Sequence, residues 1–334
     1  MSDTWGIVGH RWAVQQLQHT VAEDVVPHAI LITGPDSVGK SVLAEQLIAA
    51  MLCRSEGERP CGTCLSCRKL RSGNHPDFML IEPEDKTAHV KIEQIRDVER
   101  FLALTPNESA HKIVLIRHFE RATIGAANAL LKTLEEPPGY AHLILLATEA
   151  DVLLPTIVSR AQQIPLHPVA SGEIAAALVD RWHMSPEEAR RLARMSGGRV
   201  GWAVRAATDP ETYGRMIEAI DTLLAVLGQE LPARFETAQA LSRDDAALAE
   251  TLEHWITFWR DVLLLQTGNG DTLVFAEKQD ALQAMAANMD VKKTVRVLAE
   301  LNSAQEALLA NANTQLLVES LLLDLPTLAI GADN

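Results

Sequence analysis

Aromatic residues are scarce in this sequence, and basic residues are outnumbered by acidic ones. Phe, Trp and Tyr together make up 4% of the 334 residues, which disfavours a β-sandwich and suits helix-rich packing. The formal net charge is -14. The chain by itself is therefore a poor general binder of nucleic acid, and any DNA contact would be local or shared with more basic partners. The alternative interpretation is that the charge serves ordinary solubility.

Long apolar runs are also absent. The most apolar stretch, residues 143–158, is interrupted by Glu149, Asp151 and Pro155, so no segment is expected to span a membrane. The first residues lack the basic and apolar regions of a signal peptide. We therefore expect a cytoplasmic protein that does not bind membranes. Apolar residues still make up 47% of the chain, enough for the cores of two or three domains.

Cysteine is rare but concentrated in one place. The four cysteines lie within fifteen residues at the spacing C-x7-C-x2-C-x2-C, as Cys53, Cys61, Cys64 and Cys67. In a cytosolic chain, clustered thiols are more often metal ligands than disulfides. Four thiolates suit a closed, structural, tetrahedral Zn²⁺ site. An iron–sulfur cluster, four free thiols and a redox pair are the alternatives.

A complete phosphate-binding loop is present near the N-terminus. Residues 34–41 match G-x-x-x-x-G-K-[ST] at every fixed position, after an apolar run and before a helical pattern, which is the context that the motif requires. The helix start would point its N–H groups at a phosphate, Lys40 would reach the outer phosphates, and Ser41 would hold Mg²⁺. The candidate nucleotide-binding residues are Gly34, Pro35, Asp36, Ser37, Val38, Gly39, Lys40 and Ser41.

The expected ligands of this loop are ATP or ADP with Mg²⁺, unless the pocket is closed. Asp36 counts against binding because it brings negative charge close to the phosphates. The acid that normally works with such a loop is missing, because the run at residues 112–116 is followed by Arg117 and His118. Carboxylates at that place would bind the metal and activate water. Glu120 is nearby but out of register, so the isolated chain is expected to lack ATPase activity.

The first part of the chain alternates short apolar runs with helical patterns. The runs read as buried parallel strands, so this part is predicted to be a doubly wound α/β sheet. The predicted strands are residues 30–32, 78–81, 113–116 and 143–146. A helix is predicted between the second and third strands, and another over residues 126–134.

Strand signals vanish from residue 209 onward. We predict a domain over residues 1–167 with a zinc module at about 53–67, a small helical domain over 168–208, and an all-helical domain over 209–334. Trp255, Trp259 and Leu316 lie on apolar helix faces of the last domain. Such faces serve either contact with other subunits or an internal core.

Together these residues resemble one family, the AAA+ clamp-loader subunits of bacterial DNA polymerase III, and within it the delta-prime type. The run AANALLKTLEEPP at residues 126–138 is typical of the family. The cysteines stand between the P-loop helix and the second strand, where clamp-loader subunits carry a zinc module. The resemblance implies a P-loop AAA+ domain with an inserted zinc module, a helical lid domain and a helical collar that mediates oligomerisation.

The resemblance also implies roles for residues outside the P-loop. Residues 7–10 resemble the family's adenine-side box, which implies nucleotide contacts for Ile7 and Val8. The strand that ends at Thr148 resembles sensor 1. Ser159 and Arg160 resemble the Ser-Arg-Cys motif, which implies that Arg160 is an arginine finger for the ATP site of a neighbouring subunit. The alternative is a surface arginine in an ordinary salt bridge.

The sequence departs from the family pattern at three places. Arg117 and His118 stand where gamma/tau-type ATPases carry Asp and Glu. Gly201 stands where they carry the sensor-2 arginine. Ala161 replaces the cysteine of the Ser-Arg-Cys motif and leaves Arg160 in place. The first two losses favour the delta-prime type, as does the lack of a tau-like C-terminal extension.

In this family, a five-subunit ring opens the sliding clamp and loads it on primed DNA, while gamma/tau subunits hydrolyse ATP. The implied role here is a stator that donates its arginine to the adjacent site. The implied partners are the gamma/tau and delta subunits, the clamp indirectly, and primed DNA through the assembled complex. The alternatives are a catalytic gamma/tau-type ATPase, an unrelated P-loop nucleotide-binding enzyme such as a kinase, and a helical scaffold with a vestigial P-loop.

Overall fold

The computed structural model describes residues 5–83, 89–270, 273–310 and 312–327. The described chain forms two compact units. The first unit contains the residues up to 181 together with the segment 198–202, and the second contains the segment 182–197 and the residues from 203 onward. The domain boundaries given above, at residues 167 and 208, stay a prediction.

The first unit is built on a five-stranded parallel sheet in the order β2–β3–β4–β1–β5. The strands are β1 (Ala29–Thr33), β2 (Phe78–Ile81), β3 (Lys112–Ile116), β4 (Ala141–Ala147) and β5 (Gln162–Pro165). The four predicted strands are confirmed. The edge strand β5 was not predicted, because Ile164 is its one buried residue.

Helices cover both faces of this sheet. The helices of the first unit are α1 (Arg11–Ala22), α2 (Lys40–Leu52), α3 (Leu65–Arg71), α4 (Ile92–Leu102), α5 (Ile124–Glu135), α6 (Pro155–Val158) and α7 (Ser171–Trp182, whose last residue belongs to the second unit). Successive strand residues point to opposite faces. Ile30 and Ile32 accordingly share a core with α1 and α2, whereas Leu31 shares a second core with α4 and α5. The predicted doubly wound α/β architecture is therefore confirmed.

The second unit is helical in its described residues. Its helices are α8 (Pro186–Met195), α9 (Val200–Thr208, which begins in the first unit), α10 (Pro210–Gly228), α11 (Leu231–Leu241), α12 (Asp245–Gln266), α13 (Gln279–Asn288), α14 (Val291–Leu309) and α15 (Thr314–Asp324). Helix α12 packs against α10, α13 and α14, and α11 packs against α15. None of the described helices is both long enough and apolar enough to cross a membrane.

The apolar faces of the second unit divide between an internal core and its surface. Trp255 and Trp259 are fully buried, and the Trp255 indole N–H donates to the Ala219 carbonyl at 2.8 Å. These two tryptophans belong to the unit's own core. Leu316, by contrast, is 64% exposed, so it remains available for contact with another chain.

A buried arginine ties α11 to the end of α15. Arg234 is 2% exposed and donates from Nη1 to the carbonyls of Leu322 at 2.6 Å and Leu325 at 2.7 Å. The last carbonyls of a helix lack partners within the helix and carry partial negative charge, which a cation satisfies. Burial lowers the pKa of Arg234. The guanidinium therefore caps the C-terminal end of α15 by donating to its carbonyls.

Candidate functional site

The P-loop turns sharply where β1 ends. Gly34 has a φ of 147°, and a Cβ at this position would lie 2.5 Å from the Leu166 carbonyl oxygen, so only glycine fits. The Gly34 N–H donates to the Thr148 carbonyl at 2.9 Å. The structure thus brings Thr148, the predicted sensor-1 residue directly after β4, against the first residue of the P-loop.

The P-loop lysine is held by its own loop. Lys40 is 8% exposed, and its ammonium donates to the carbonyls of Gly34 and Pro35, the latter at 3.0 Å. It also lies 3.4 Å from an Asp36 carboxylate oxygen. A bound phosphate would therefore compete with Asp36 for the same ammonium, which gives a structural basis to the unfavourable charge noted in the sequence.

The segment before α1 lies on the same side as the loop. Ile7 is buried and Val8 is half-buried. The His10 Nε2 lies 3.1 Å from the Val38 carbonyl. Burial lowers the pKa of His10, and the hydrogen bond to Val38 opposes that effect only in part. Ile7 and Val8, the predicted adenine-side residues, therefore lie three and two residues before His10, which contacts the P-loop directly.

The start of α9 also contacts the loop. The Gly201 N–H donates to the Ser37 carbonyl at 2.7 Å. A Cβ at residue 201 would lie 3.0 Å from that carbonyl oxygen and 3.4 Å from the Ser37 Cα. The position at which a sensor-2 arginine was expected therefore touches the loop through its backbone. The sequence indicated that the sensor-2 arginine is absent, but it did not indicate this backbone contact.

A guanidinium occupies the end of β3 where a metal-binding acid would stand. Arg117 Nη2 lies 2.6 Å from Glu45 Oε1, and Nη1 lies 2.9 Å from Glu82 Oε2. Glu45 is one helical turn after Ser41 on α2. Arg117 therefore places positive charge at the end of β3 and pairs with two carboxylates, one on α2 and one directly after β2. Such an arrangement opposes metal-assisted activation of water.

The two other residues after β3 do not replace the missing acid. His118 Nδ1 lies 3.3 Å from Glu120 Oε1, so these two side chains pair with each other. Glu120 belongs to a short 3-10 turn, Phe119–Arg121. This agrees with the interpretation that Glu120 is out of register with the strand.

Arg160 lies on the surface directly after α6. Its side chain is 35% exposed, with Nη2 2.7 Å from Glu135 Oε1 and Nη1 donating to the Thr156 carbonyl at 2.9 Å. Ion pairs between exposed side chains are worth only about 0–1 kcal/mol. The salt bridge considered above as an alternative therefore exists, but breaking it costs little free energy.

The four cysteines meet in space. One ligand atom from each of them lies within 4.8 Å of the others. Backbone N–H groups donate to the sulfurs around the cluster, from Cys61 to Cys53 at 3.4 Å, from Cys64 to Cys61 at 3.3 Å and from Cys67 to Cys64 at 3.4 Å. Four sulfurs at this separation, stabilised as thiolates by N–H donors, fit a tetrahedral Zn²⁺.

The electrostatics of the cluster differ from one thiol to the next. Hydrogen bonds from the backbone N–H groups of Cys64 and Thr63 lower the pKa of the Cys61 thiol to about 6. Burial raises the pKa of the Cys67 thiol to about 12. A divalent cation favours the thiolate form of every ligand. A cation among the four sulfurs would therefore offset the burial that disfavours the Cys67 thiolate.

The cysteine segment is joined to the loop that precedes β3. Lys69 pairs with Glu108, and Arg54 Nη2 lies 3.6 Å from the same carboxylate. The fully buried Asp77 accepts hydrogen bonds from the backbone of that loop, at 2.6 Å from Asn107 and 2.8 Å from Glu108. Sequence reasoning missed this network because it joins residues 30 to 54 positions apart that carry no shared motif.

Two family models match separate parts of the chain. One, described as DNA polymerase III, delta subunit, matches residues 9–170, and the other, described as DNA polymerase III, delta subunit, C terminal, matches residues 218–327. The chain is 32% identical to DNA polymerase III subunit delta' of Bacillus subtilis, over 92% of this chain and 93% of that protein. It is 33% identical to subunit delta' of Pseudomonas aeruginosa, over 88% and 90%.

A tau subunit is also similar, but over less of its own length. DNA polymerase III subunit tau of Bacillus subtilis is 26% identical over 90% of this chain and 54% of that protein. The two delta' proteins, in contrast, align with this chain over nearly their full length.

Proposed function

The chain belongs to the delta-prime family of DNA polymerase III subunits, and from this premise we propose that it acts as a non-hydrolysing stator of the clamp-loader ring. It holds its place in the ring and donates Arg160 to the ATP site of the adjacent subunit. The observation that carries the proposal is that the chain lacks a catalytic acid of its own but retains an arginine that another site could use. Arg117 stands where a catalytic acid is needed, while Arg160 keeps a partly exposed guanidinium at the surface of the chain.

The proposed nucleotide site is the P-loop together with Ile7, Val8 and Thr148. Residues 34–41 would hold the phosphates of ATP or ADP, and Ser41 would contact Mg²⁺. Nucleotide bound here has a structural or regulatory role, because Arg117 stands at the place where a carboxylate would activate the attacking water. Binding requires phosphate to displace the contact between Asp36 and Lys40.

The proposed metal is one structural Zn²⁺ per chain. Cys53, Cys61, Cys64 and Cys67 are its ligands, and the ion supplies folding stability rather than catalysis. Intact thiolate ligands suit a reducing compartment, which supports the cytoplasm as the location of the protein.

The proposed partners are gamma/tau and delta subunits, and through them the sliding clamp and primed DNA. We assign the AAA+ domain to residues 1–167, the lid to 168–208 and the collar to 209–334. Exposed apolar side chains on the collar, among them Phe235 on α11 and Leu316 on α15, support assembly through this region. The net charge of -14 suits a subunit whose DNA contacts are supplied by the whole assembly.

The test of this proposal is the Arg160→Ala variant in a ring reconstituted with the gamma/tau and delta subunits. Ring assembly and zinc content should be unchanged, whereas DNA-stimulated ATP hydrolysis and clamp loading should fall. In small GTPases an arginine finger is worth on the order of a thousandfold or more. Because only one site of the ring loses its finger, the loss measured for the whole complex should be smaller.

Two further variants separate a finger from an ordinary surface charge. Arg160→Lys should restore little activity, since an ammonium keeps the charge but loses the planar fork. Arg100→Ala is the matched control, because Arg100 is an exposed arginine of the same unit in a surface ion pair with Asp97. Wild-type loading rates with Arg160→Ala would show that Arg160 is an ordinary surface residue and would contradict the proposal.

A further inference from the structure

Arg160 is oriented from within its own chain by one carboxylate. Glu135 accepts from Nη2 at 2.7 Å, while the Thr156 carbonyl and the Ser159 hydroxyl accept from Nη1 at 2.9 and 3.4 Å. The Thr156 and Ser159 contacts are local to the turn that carries Arg160. Glu135 is the partner that comes from elsewhere in the chain.

We propose that Glu135 is a positioning residue for Arg160, which fixes the guanidinium in the orientation needed for the ATP site of the adjacent subunit. The inference rests on the finger role proposed above. It assigns a function to one glutamate of the Glu135-Glu136-Pro137-Pro138 run, which sequence analysis recognised only as a family signature.

The backbone on both sides of this ion pair is fixed by the same core. Glu135 is the last residue of α5, and the neighbouring Leu134 is 2% exposed. Arg160 follows α6, whose Ile157 is fully buried. Leu134 and Ile157 belong to one hydrophobic cluster, and α5 packs against α6. The separation of the two side chains is therefore set by the fold and not by flexible loops.

The contacts of Arg160 leave donors for a phosphate. A guanidinium has five N–H groups, and three described contacts engage Nη1 and Nη2. An arginine side chain carries considerable rotamer freedom, and ordering it before assembly lowers the cost of placing it at the neighbouring site. The Glu135 side chain is 52% exposed, so water screens its charge and the guanidinium keeps most of its attraction for phosphate.

A reconstituted ring carrying Glu135→Ala tests the proposal. The kcat of DNA-stimulated ATP hydrolysis should fall by up to about fivefold at the affected site, which corresponds to about 1 kcal/mol for an exposed ion pair. The KM for ATP should not change, because the arginine acts on the transition state. Glu135→Gln should recover most of the rate, since its amide oxygen still accepts from Nη2. Glu136→Ala is the matched control at the adjacent exposed glutamate and should behave as wild type.

The double variant separates positioning from a general structural effect. If Glu135 acts through Arg160, the ring with Arg160→Ala and Glu135→Ala should hydrolyse ATP at the rate of Arg160→Ala alone. A slower double variant would show that Glu135 acts elsewhere and would overturn the proposal. So would a wild-type or faster rate with Glu135→Ala in a ring that Arg160→Ala slows. If Arg160→Ala itself leaves the rate unchanged, that result contradicts the arginine-finger role proposed for Arg160, independently of Glu135.

Discussion

The contact between Gly201 and the P-loop makes a sharp stability prediction. In Gly201→Ala, the new Cβ would lie 3.0 Å from the Ser37 carbonyl oxygen. Ser37 has little room to retreat, because its φ is already 62° and its carbonyl accepts the Gly201 N–H at 2.7 Å. Overpacking of such a contact costs about 1–3 kcal/mol. Relative to a Gly→Ala substitution that meets no neighbour, we expect the variant to lose this much stability, and we expect it to bind a fluorescent ADP analogue more weakly than wild type.

Gly172→Ala is the matched control for this experiment. Gly172 is the second residue of α7, as Gly201 is the second residue of α9, and a Cβ at residue 172 would meet no atom within 4 Å. Both variants gain the same helix preference of alanine over glycine, so the difference between them isolates the clash. At about 2–4 °C per kcal/mol for a unit of this size, the cost of about 1–3 kcal/mol predicts that Gly201→Ala melts roughly 2–12 °C below Gly172→Ala. Equal melting temperatures in calorimetry would refute the close contact.

Three further predictions concern catalysis, the metal and pH. The isolated chain should hydrolyse ATP negligibly in a phosphate-release assay, and robust turnover abolished by Lys40→Ala would contradict the role given to Arg117. Elemental analysis should find about one zinc per chain, which Cys64→Ser should release with loss of stability in the first unit; zinc-free wild-type protein from a reducing purification would contradict the cysteine site. Burial opposes ionisation of Asp77, but hydrogen bonds from Asn107, Glu108 and Ser109 outweigh it and lower its pKa. The stabilising contribution of the Asp77 carboxylate is therefore present above the unfolded pKa of about 3.9 and is lost as pH falls through the lower folded pKa. In urea unfolding, Asp77→Asn should accordingly lose less stability in acid than wild type does.

The sequence was sufficient to predict those parts of the fold that carry a strong local pattern. The runs that became β1, β3 and β4 are apolar on both faces, because parallel strands are buried on both sides. Strand β5 lacked that signal, since an edge strand buries one face at most and Gln162–Pro165 buries only Ile164. Its pairing with β1 depends on long-range contacts that no local pattern records.

The candidate site was likewise predictable only where the sequence carries a local pattern. Spacing alone predicted that Cys53, Cys61, Cys64 and Cys67 converge, and their sulfur atoms do meet. The missing acid after β3 was also visible, but its replacement by an ion-paired Arg117 was not. That pairing joins Arg117 to Glu45 and Glu82, which lie 72 and 35 positions away along the chain. Contacts of this kind depend on how whole strands and helices pack together, and residue spacing does not indicate them.

The central claim is that this chain completes a clamp-loader ring without hydrolysing ATP itself. The most direct measurement is clamp loading on primed DNA by gamma/tau and delta subunits, with and without added chain, together with co-purification of the assembly. The chain should join a stable complex and restore loading and DNA-stimulated ATP hydrolysis, and Lys40→Ala in this chain should leave most of that hydrolysis in place. A complex that loads clamps equally well without the chain, or that loses most of its hydrolysis with Lys40→Ala, would contradict the central claim.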